Sequence, residues 1–232
     1  MNFDKVTLIS HFYNEEYLLP WWLHYHKKIF KNAIIIDYKS TDNSTYLINK
    51  ICPDWKIVQS KNELFNAVLV DREVEFYEKE IKGYKICLNT TEFIYGNFYE
   101  ELSFDGSQHC YELQSYAIID HNPSEVLNYE DDLVNKKNFG HRDGSRYIHN
   151  YPIGQYTAGR HQTQLLVEKT LKSNIRWFKY APWTKDFIKR KMQIKNRIPI
   201  ADLNNGMGGH HIWSLEEMKS DMENRRRSCI FI

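Results

Sequence analysis

The chain has 232 residues, and its 31 basic and 30 acidic side chains leave a formal net charge of +1. This balance argues against a general nucleic-acid binder, which normally carries a basic excess. Hydrophobic residues make up 42% and aromatic residues 15% of the chain, so a substantial core is expected and extensive disorder is excluded. The four cysteines are scattered without a C-x-x-C pair, which argues against a structural zinc site and against a disulfide framework.

Neither a targeting segment nor a membrane span is predicted. The N-terminal MNFDKVTLIS lacks a basic region followed by a long apolar stretch, and no segment reaches the length of a membrane span. We therefore predict a soluble cytoplasmic protein. Because the sequence contains no repeat, low-complexity tract or linker, residues 1–232 are predicted to form one continuous domain.

The first 95 residues alternate between short apolar runs and helical patterns. VTLIS (Val6–Ser10) reads as a strand, and the helical pattern after it has Pro20 in its first turn, where no amide donor is needed. Ala33–Ile36 reads as a fully buried strand, and STYLINKI is predicted to be a helix with Ser44 as its N-cap. WKIVQS and YKICL are further short strands, separated by a helix within residues 64–81. The alternation predicts an α/β fold, a mostly parallel sheet with helices on both faces.

Three of the predicted strands end in polar segments: HFYNEE, DYKSTDNS and NTTEF. The carboxyl ends of parallel strands lie along one edge of a sheet, where ligands commonly bind. A carboxylate at such a position can accept hydrogen bonds from a ribose or a base, which favours ligand contact for Asp37. Asp42 is equally well explained as a cap of the next helix. Asn14, Glu15 and Glu16 either contact the ligand or are ordinary acidic and polar residues at a helix N-terminus.

Residues 96–232 are less regular and rich in proline, aromatic residues and histidine. Ser214 to Arg227 is predicted to be a helix, with a serine cap, glutamates in its first turn and arginines in its last. The final NRRRSCIFI has two interpretations. It matches a C-terminal prenylation box, or its arginines suit a helix end while Ile230–Ile232 pack on the body or touch a membrane surface.

The segment FYNEEYLLPWWLHYHKKIFKNAIIIDYKSTDNS resembles the start of family-2-like glycosyltransferases of the GT-A fold. Those proteins begin with a strand, an N-E pair, an apolar helix with a W-L-x-Y-H element, and a second strand ending in D-x-x-S-T-D. LNTTEFI falls where they carry D-x-D-E-F. YTAGRH is similar to a G-x-H element, and RIPIADLNNGMGGHH to a late R-x-x-x-x-D-x-x-x-G-x-G-x-H segment. The similarity touches most of the chain in the same order.

The resemblance implies a GT-A (Rossmann-like) enzyme with two halves. Residues 1–95 would hold a nucleoside-diphosphate sugar across the carboxyl edge of the sheet, and residues 96–232, an irregular half, would bind a glycan or another hydroxyl acceptor. In the family, the D-x-D carboxylates hold Mg²⁺ or Mn²⁺ against the donor diphosphate, since hard cations prefer oxygen ligands. The implied donor-binding residues of this chain are Phe12, Asn14, Glu16, Asp37, Asp42, Arg72, Asn89, Thr91, Arg160, His161 and His210.

The D-x-D positions of this chain carry no aspartate, because Asn89 and Thr91 stand there instead. Their neutral oxygens bind a divalent ion weakly. In an extended segment the Glu92 side chain would face away from both, unless the loop turns sharply. We therefore expect weak or absent binding of Mn²⁺ or Mg²⁺, with Thr91, Glu92 and His210 as the candidate ligands. The basic side chains that would take over the diphosphate without a metal ion are Arg72, Arg146, Arg160 and Lys179.

The transfer reaction also needs a general base to deprotonate the acceptor hydroxyl. The candidates are carboxylates near or beyond the fourth strand: Glu92, Asp105, Asp120 and Asp143. His161, His210 and His211 lie in loops punctuated by glycine, and the adjacent His210 and His211 are expected to point apart, so that at most one reaches the site. A zinc site is an alternative use of the histidines His141, His149, His161 and His210, although their spacing is not typical of zinc ligands.

Three functions remain open at this level. The leading one is sugar transfer from a nucleoside-diphosphate sugar to a hydroxyl acceptor. A catalytically silent nucleotide- or glycan-binding module of the same fold is the alternative, favoured by Asn89 and Thr91. A metal hydrolase built on the histidines is the third.

Overall fold

The computed structural model of the protein describes residues 5–122 and 125–232. Residues 1–4, part of the segment considered for a targeting signal, lie outside the described residues. The strands are β1 Val6–Phe12, β2 Asn32–Asp37, β3 Lys56–Gln59, β4 Tyr84–Cys87, β5 Glu92–Tyr95, β6 Cys110–Ile119, β7 Phe139–His149, β8 Lys169–Thr170, β9 Asn174–Tyr180 and β10 Ile230–Phe231. The α-helices are α1 Leu19–His26, α2 Ser44–Ile51, α3 Ala67–Glu78, α4 Leu133–Lys136, α5 Lys185–Met192, α6 Ile200–Asn204 and α7 Leu215–Arg226. Short 3₁₀ turns span Phe98–Glu100, Ala158–Arg160, Gln193–Arg197 and Gly209–His211.

The strands form one sheet in the order β3-β2-β1-β4-β7-β6-β9-β5, with β8 paired to β6 and β10 to β7. The strands β3, β2, β1 and β4 are parallel to one another, as the alternation of strands and helices predicted. The prediction of an α/β fold with a mostly parallel sheet flanked by helices is confirmed. The second half adds the long antiparallel strands β6 and β7, which the sequence analysis did not identify.

Both faces of the parallel strands are covered, which explains why those strands read as continuous apolar runs. Along β1, Leu8 packs into the main core while the next residue, Ile9, packs into a second core on the opposite face. Successive side chains of a strand point to opposite faces, so both must be apolar when both faces are buried. Helices α1 and α2 cover one face, and α3 covers the other through Val70 and Val74.

Helix α1 fixes the position of the loop that follows β4. The indole of Trp22 donates a hydrogen bond to the carbonyl oxygen of Glu92 (2.9 Å), and the hydroxyl of Tyr25 donates to the carbonyl oxygen of Ile94 (2.8 Å). The buried His26 ring accepts from the Ile94 amide, and burial lowers its pKa to about 3, so the ring is neutral. The W-L-x-Y-H element of the sequence therefore anchors β5 to the first helix.

The helix ends follow the sequence signals in part. Asn66 caps α3 by accepting from the amides of Val68 and Leu69, and Ser214 and Glu217 form a capping box at the start of α7, as predicted. The prediction that Ser44 is the N-cap of α2 is wrong. The helix already includes Ser44, whose hydroxyl accepts a hydrogen bond from the Glu15 amide (2.8 Å).

The C-terminal segment packs partly on the body. Ile232 contacts the main core, and its amide donates to the carbonyl oxygen of Asn138 (2.9 Å), whereas Ile230 and Phe231 are more than half exposed. None of the helices in the described part of the chain combines the length and the apolar composition that a membrane span requires.

Candidate functional site

A cavity of about 420 Å³ opens where β1 and β4 end, at the carboxyl edge of the parallel strands. The segment after β4 forms one wall. The Glu92 amide donates to the Asn89 carbonyl oxygen (2.9 Å), so residues 89–92 make a tight turn before β5 begins. The polar strand ending found in the sequence is therefore a turn that faces a cavity.

The turn brings Glu92 back toward Asn89, into a buried ion pair with Arg146 on β7. Glu92 Oε1 accepts from Arg146 Nη2 (2.6 Å), and Oε2 accepts both from Arg146 Nε (3.0 Å) and from the Asn89 amide (2.8 Å). The two side chains are 2% and 5% exposed. Both oxygens of Glu92 are thus engaged with positively polarised groups, in the bidentate geometry that arginine favours.

A second arginine holds Asn89. Arg160 donates through Nη2 to Asn89 Oδ1 (2.9 Å) and through Nη1 to Asp71 on α3. Its backbone has φ +59°, in the left-handed region that is unusual for arginine, and Gly159 before it has φ +79°. A Cβ at Gly159 would approach the His161 ring to 3.0 Å. The buried residues Asp71, Glu92, Arg146 and Arg160, together with the partly buried Asn89, are called the arginine–carboxylate network below.

The arginine–carboxylate network leaves few free oxygen ligands for a metal ion at the position where the resemblance implies one. The Glu92 carboxylate and the Asn89 amide oxygen both already accept from guanidinium groups, so a divalent cation there would face two positive charges. No group of three or more His, Cys, Asp or Glu side chains suited to hold a metal ion occurs among residues 5–122 and 125–232. The donor set therefore does not fit a divalent ion.

A second wall of the cavity is positively charged. Lys179 on β9 and Arg190 and Lys191 on α5 all line it, and they are called the cationic group below. Arg190 is paired with Glu15, with Nη2 2.7 Å from Glu15 Oε1. Lys179 Nζ lies 3.4 Å from Asp221 Oδ2 and 3.9 Å from Asp143 Oδ2.

Lys191 differs from its neighbours because it makes no ion pair with any described residue. Its Nζ instead lies 5.1 Å from the centre of the Tyr180 ring, a weak cation–π contact. Burial, Arg190 and Lys179 together lower the pKa of Lys191 to about 7. An ammonium that lacks a counter-ion in a largely buried place is costly, so this part of the cavity favours an anionic ligand.

His210 and His211 both line the cavity next to the cationic group. Their ring centres are 4.0 Å apart, so the prediction that they point apart is wrong. They lie in the 3₁₀ turn Gly209–His211, and not in an extended strand, which would send neighbouring side chains to opposite faces. Burial first, and nearby positive groups second, lower the pKa of His210 to about 2 and of His211 to about 4, so both rings are neutral at physiological pH.

An aromatic wall completes the cavity. Tyr13 at the end of β1 and Phe65 before α3 line it, with ring centres 6.1 Å apart, and Tyr38 stacks behind Phe65 at 4.5 Å. The guanidinium of Arg197 lies 4.1 Å from the Tyr13 ring centre. These rings offer a surface on which a flat heterocycle could stack.

The structure brings some of the predicted residues to the cavity and places others elsewhere. Those that line it are Phe12, Glu15, Asn89, Thr91, Glu92, Asp143, Arg146, Arg160, His161, Lys179, His210 and His211. Burial and Arg146 lower the pKa of His161, whose Nδ1 lies 3.3 Å from Arg146 Nη1. Asn14, Glu16 and Asp42 line a neighbouring groove, where Glu16 and Asp42 accept hydrogen bonds from the amides of Asn43 and Glu16 respectively.

Six further predicted residues line neither the cavity nor the groove, and one of them, His141, has its Nδ1 2.9 Å from the Ser228 hydroxyl. Asp37 is buried and accepts from the Ser40 amide (2.8 Å), while Arg72 is exposed on α3. Asp120 forms a buried pair with Lys137 (3.1 Å), and Asp105 pairs with His109 (2.8 Å). His149 bonds to Glu78, so the suggested four-histidine zinc cluster does not assemble.

Four functional candidates were missed from the sequence: Tyr13, Phe65, Arg190 and Lys191. Tyr13 lies in the polar segment after β1, so the rule that ligands bind at the carboxyl ends of parallel strands, which predicted Asn14, could also have identified Tyr13. Lys191 had no such signal, since KDFIKRKM reads as an ordinary basic helix.

No protein-family model and no curated protein matches the chain. Similar solved structures include S. aureus TarS in complex with UDP-GlcNAc (14% identity, TM-score 0.38, 58% of this chain and 39% of that chain). Another is HddC from Yersinia pseudotuberculosis (12% identity, TM-score 0.42, 80% of this chain and 96% of that chain). A third is the inositol-1-phosphate CTP transferase from T. maritima (7% identity, TM-score 0.43, 84% of this chain and 98% of that chain). The chain spans 23% to 40% of the length of the TarS structures. Because these similarities are low, the function is argued from the site.

Proposed function

We infer that the protein binds a nucleoside-diphosphate sugar in the cavity and transfers the sugar to a hydroxyl acceptor. The observation that carries this inference is the composition of the cavity at the carboxyl edge of β1 and β4. It combines an aromatic wall, which suits a nucleobase, with a cationic group, which suits a diphosphate. The family resemblance of the sequence supports the same ligand.

The base and the phosphates of the donor contact different walls of the cavity. The base stacks on Tyr13 and Phe65, and the phosphates lie toward Lys179 and Lys191. Thr91 and Asn89, on the turn after β4, border the space between these two walls. The acceptor enters from the side built by residues 96–232.

Asp143 is the strongest candidate for the general base. Of the four carboxylates considered as the base, Asp105 and Asp120 lie away from the cavity and Glu92 has both oxygens engaged with Arg146. Asp143 lines the cavity and is about one-third exposed, with Arg225 Nη1 2.6 Å from its Oδ2. A carboxylate in that position is reachable by an acceptor hydroxyl.

The first experiment is binding of UDP, GDP, dTDP and CDP, measured by thermal shift and by calorimetry. We expect one of them to raise the melting temperature, and Tyr13→Ala to reduce that shift. Tyr46→Ala, which removes a similar ring from the exposed surface of α2, serves as the matched control. Absence of stabilisation by any of the four nucleotides would contradict the proposed function.

A catalytically silent binding module is the second candidate, and the buried Glu92–Arg146 pair favours it, because it removes a carboxylate from the turn where the family places its metal ligands. Hydrolysis or transfer of a sugar from the donor distinguishes the two candidates. Nucleotide binding without either reaction, over a panel of sugars and acceptors, would support the module.

A further inference from the structure

The place where the resemblance implies a metal ion is already filled by positive charge from the protein. Arg146 and Arg160 occupy the oxygens of Glu92 and Asn89 on the turn after β4. A divalent ion could bind there only by displacing an arginine from a buried carboxylate, which would leave a buried arginine unpaired and is strongly unfavourable. The negative charge of a bound diphosphate must therefore be offset by some other group.

The other wall of the cavity contains a positive charge in excess. Lys191 and three further cationic side chains, Lys179, Arg190 and Arg225, stand here with three carboxylates, Glu15, Asp143 and Asp221. Arg190 is held by Glu15, while Lys179 and Arg225 share Asp143 and Asp221. Lys191 is therefore the cationic side chain of this set that has no carboxylate partner among the described residues.

The surroundings of Lys191 suit a phosphate. Neutral His210 and His211 lie beside it, and a neutral imidazole carries one N–H that can donate to a phosphate oxygen. The depressed pKa of Lys191 indicates how poorly the empty cavity stabilises the ammonium form. An anion close to its Nζ would remove that penalty.

We propose that Lys191, assisted by Lys179, binds the diphosphate of the ligand directly and replaces the divalent metal ion at this site. The proposal rests on the proposed function in so far as the diphosphate belongs to a nucleotide. The ammonium group supplies the charge neutralisation that a metal ion would otherwise give. The arginine–carboxylate network keeps the turn after β4 in place and does not bind the phosphates through a metal.

The test measures dissociation constants by calorimetry in EDTA and in Mn²⁺, with UDP, GDP, dTDP and CDP and with inorganic pyrophosphate as probes. We expect the affinity of the nucleotide that binds to be equal within about twofold in EDTA and in Mn²⁺. Lys191→Gln should weaken binding about 10- to 100-fold, the range expected for the loss of one charged hydrogen bond. Lys195→Gln, an exposed lysine four residues further on, should change it by less than about twofold.

The probes separate this proposal from the proposed function. Pyrophosphate that binds in EDTA and depends on Lys191, while no nucleotide binds, would support the lysine site and contradict the nucleotide. Nucleotide binding that requires Mn²⁺, or that is unchanged in Lys191→Gln, would overturn the lysine site and leave the nucleotide in place. Failure of both pyrophosphate and nucleotides to bind would overturn both. Loss of fold is not expected in Lys191→Gln, since it removes an unpaired charge, and the melting temperature checks this.

Discussion

The two polar walls of the cavity handle charge in opposite ways. In the arginine–carboxylate network, Arg146 meets Glu92 through two hydrogen bonds and Arg160 meets Asp71 and Asn89, and both arginines and both carboxylates are buried. In the cationic group, Lys191 has no carboxylate within ion-pair distance in the described chain, and two neutral histidines stand beside it.

The difference separates residues that shape the site from residues that are ready to bind. A buried charge that is fully paired already makes its hydrogen bonds and ion pairs within the protein, whereas an unpaired charge gains most from a ligand of opposite charge. The turn after β4 attracted attention in the sequence because it departs from a family motif. The unpaired charge, Lys191, instead lies on α5, whose sequence is that of an ordinary basic helix.

The largest expected effect concerns Asp143, a carboxylate that contacts Lys179 of the cationic group and also lines the cavity. If Asp143 is the base, Asp143→Asn should lower the rate of sugar transfer by about 100- to 10,000-fold with little change in donor affinity. The measurement is kcat and KM for transfer, once the donor is known.

Asp221→Asn is the matched control for Asp143→Asn. Asp221 contacts the same Lys179 and Arg225 but does not line the cavity, so its loss disturbs the same ion pairs without removing a base. We expect a rate within about fivefold of wild type. Equal losses in the two variants would mean that Asp143 acts only by holding Arg225 and Lys179.

The next effect tests whether the arginine–carboxylate network is structural. Glu92→Gln leaves the buried Arg146 guanidinium without its carboxylate, and we expect a loss of about 3 to 5 kcal/mol in the free energy of unfolding. Urea denaturation measures it. Glu63→Gln is the control, because its pair with Lys39 is exposed and screened by solvent, so its loss should change the stability far less.

A double variant sharpens the same point. Glu92→Met with Arg146→Met replaces the pair by apolar side chains of similar length, and should recover much of the stability that Glu92→Gln loses. If the double variant were no more stable than Glu92→Gln, the unpaired arginine would not be the cause of the loss.

The opposite outcome is expected in the cationic group. Lys191→Met should raise the free energy of unfolding by about 1 to 3 kcal/mol near pH 6, because it removes an unpaired buried charge. The pKa of Lys191 in the folded protein is lowered from 10.5 to about 7, so the cost of the charged form is complete below pH 7. The cost fades as the pH rises from 7 toward 10.5, and the difference between variant and wild type should shrink over that range.

The groups that face Lys191 support this pH range. Arg190 stays positive, Asp221 and Glu15 contribute negative charge, and His210 and His211 stay neutral because their pKa values are low. Burial lowers the pKa of Lys179 as well, so its positive charge is complete only toward the lower end of this range. Lys195→Met should change stability by less than about 0.5 kcal/mol at every pH. A gain in Lys191→Met that does not change between pH 6 and pH 10 would assign the effect to packing alone.

Much of the fold could be predicted from the sequence, because its first half obeys local rules. The apolar runs of β1, β2 and β4 required burial on both faces, and the helical patterns between them left a parallel arrangement as the simple solution. Strands β6 and β7 were missed because they pair over long distances and carry many polar residues. Glu112 on β6 and Arg142 on β7, for example, break the apolar pattern by which a strand is recognised.

The site was less predictable, since it depends on which charges meet. Local sequence placed Asn89 and Glu92 at the strand edge, but no local signal pairs Glu92 with Arg146, which is 54 residues further on. Lys191 is recognised only after β9 and α5 pack together and leave it without an acid. Asp37, which the strand-end rule favoured as a ligand contact, is buried against the Ser40 amide, outside the cavity lining.

The smallest effect tests the contrast between paired and unpaired groups at a third place, the loop before β6. There His109 lies 2.8 Å from Asp105 through Nε2 and also contacts Glu168 through Nδ1, whereas His210 and His211 have no carboxylate within ion-pair distance among the described residues. Hydrogen bonds to Asp105 and Glu168 raise the pKa of His109 above 6.5, the reverse of the direction found for His210.

The stability from the contacts of His109 with these two carboxylates is therefore complete below the unfolded pKa of about 6.5 and is lost as the pH rises through the raised folded value. The stability advantage of wild type over His109→Gln should be larger at pH 6 than at pH 9, and 1 M NaCl should reduce that difference, because both carboxylates are partly exposed. A gap that is equal at the two pH values would assign the role of His109 to its stacking on Tyr111, at 5.8 Å, and not to its charge.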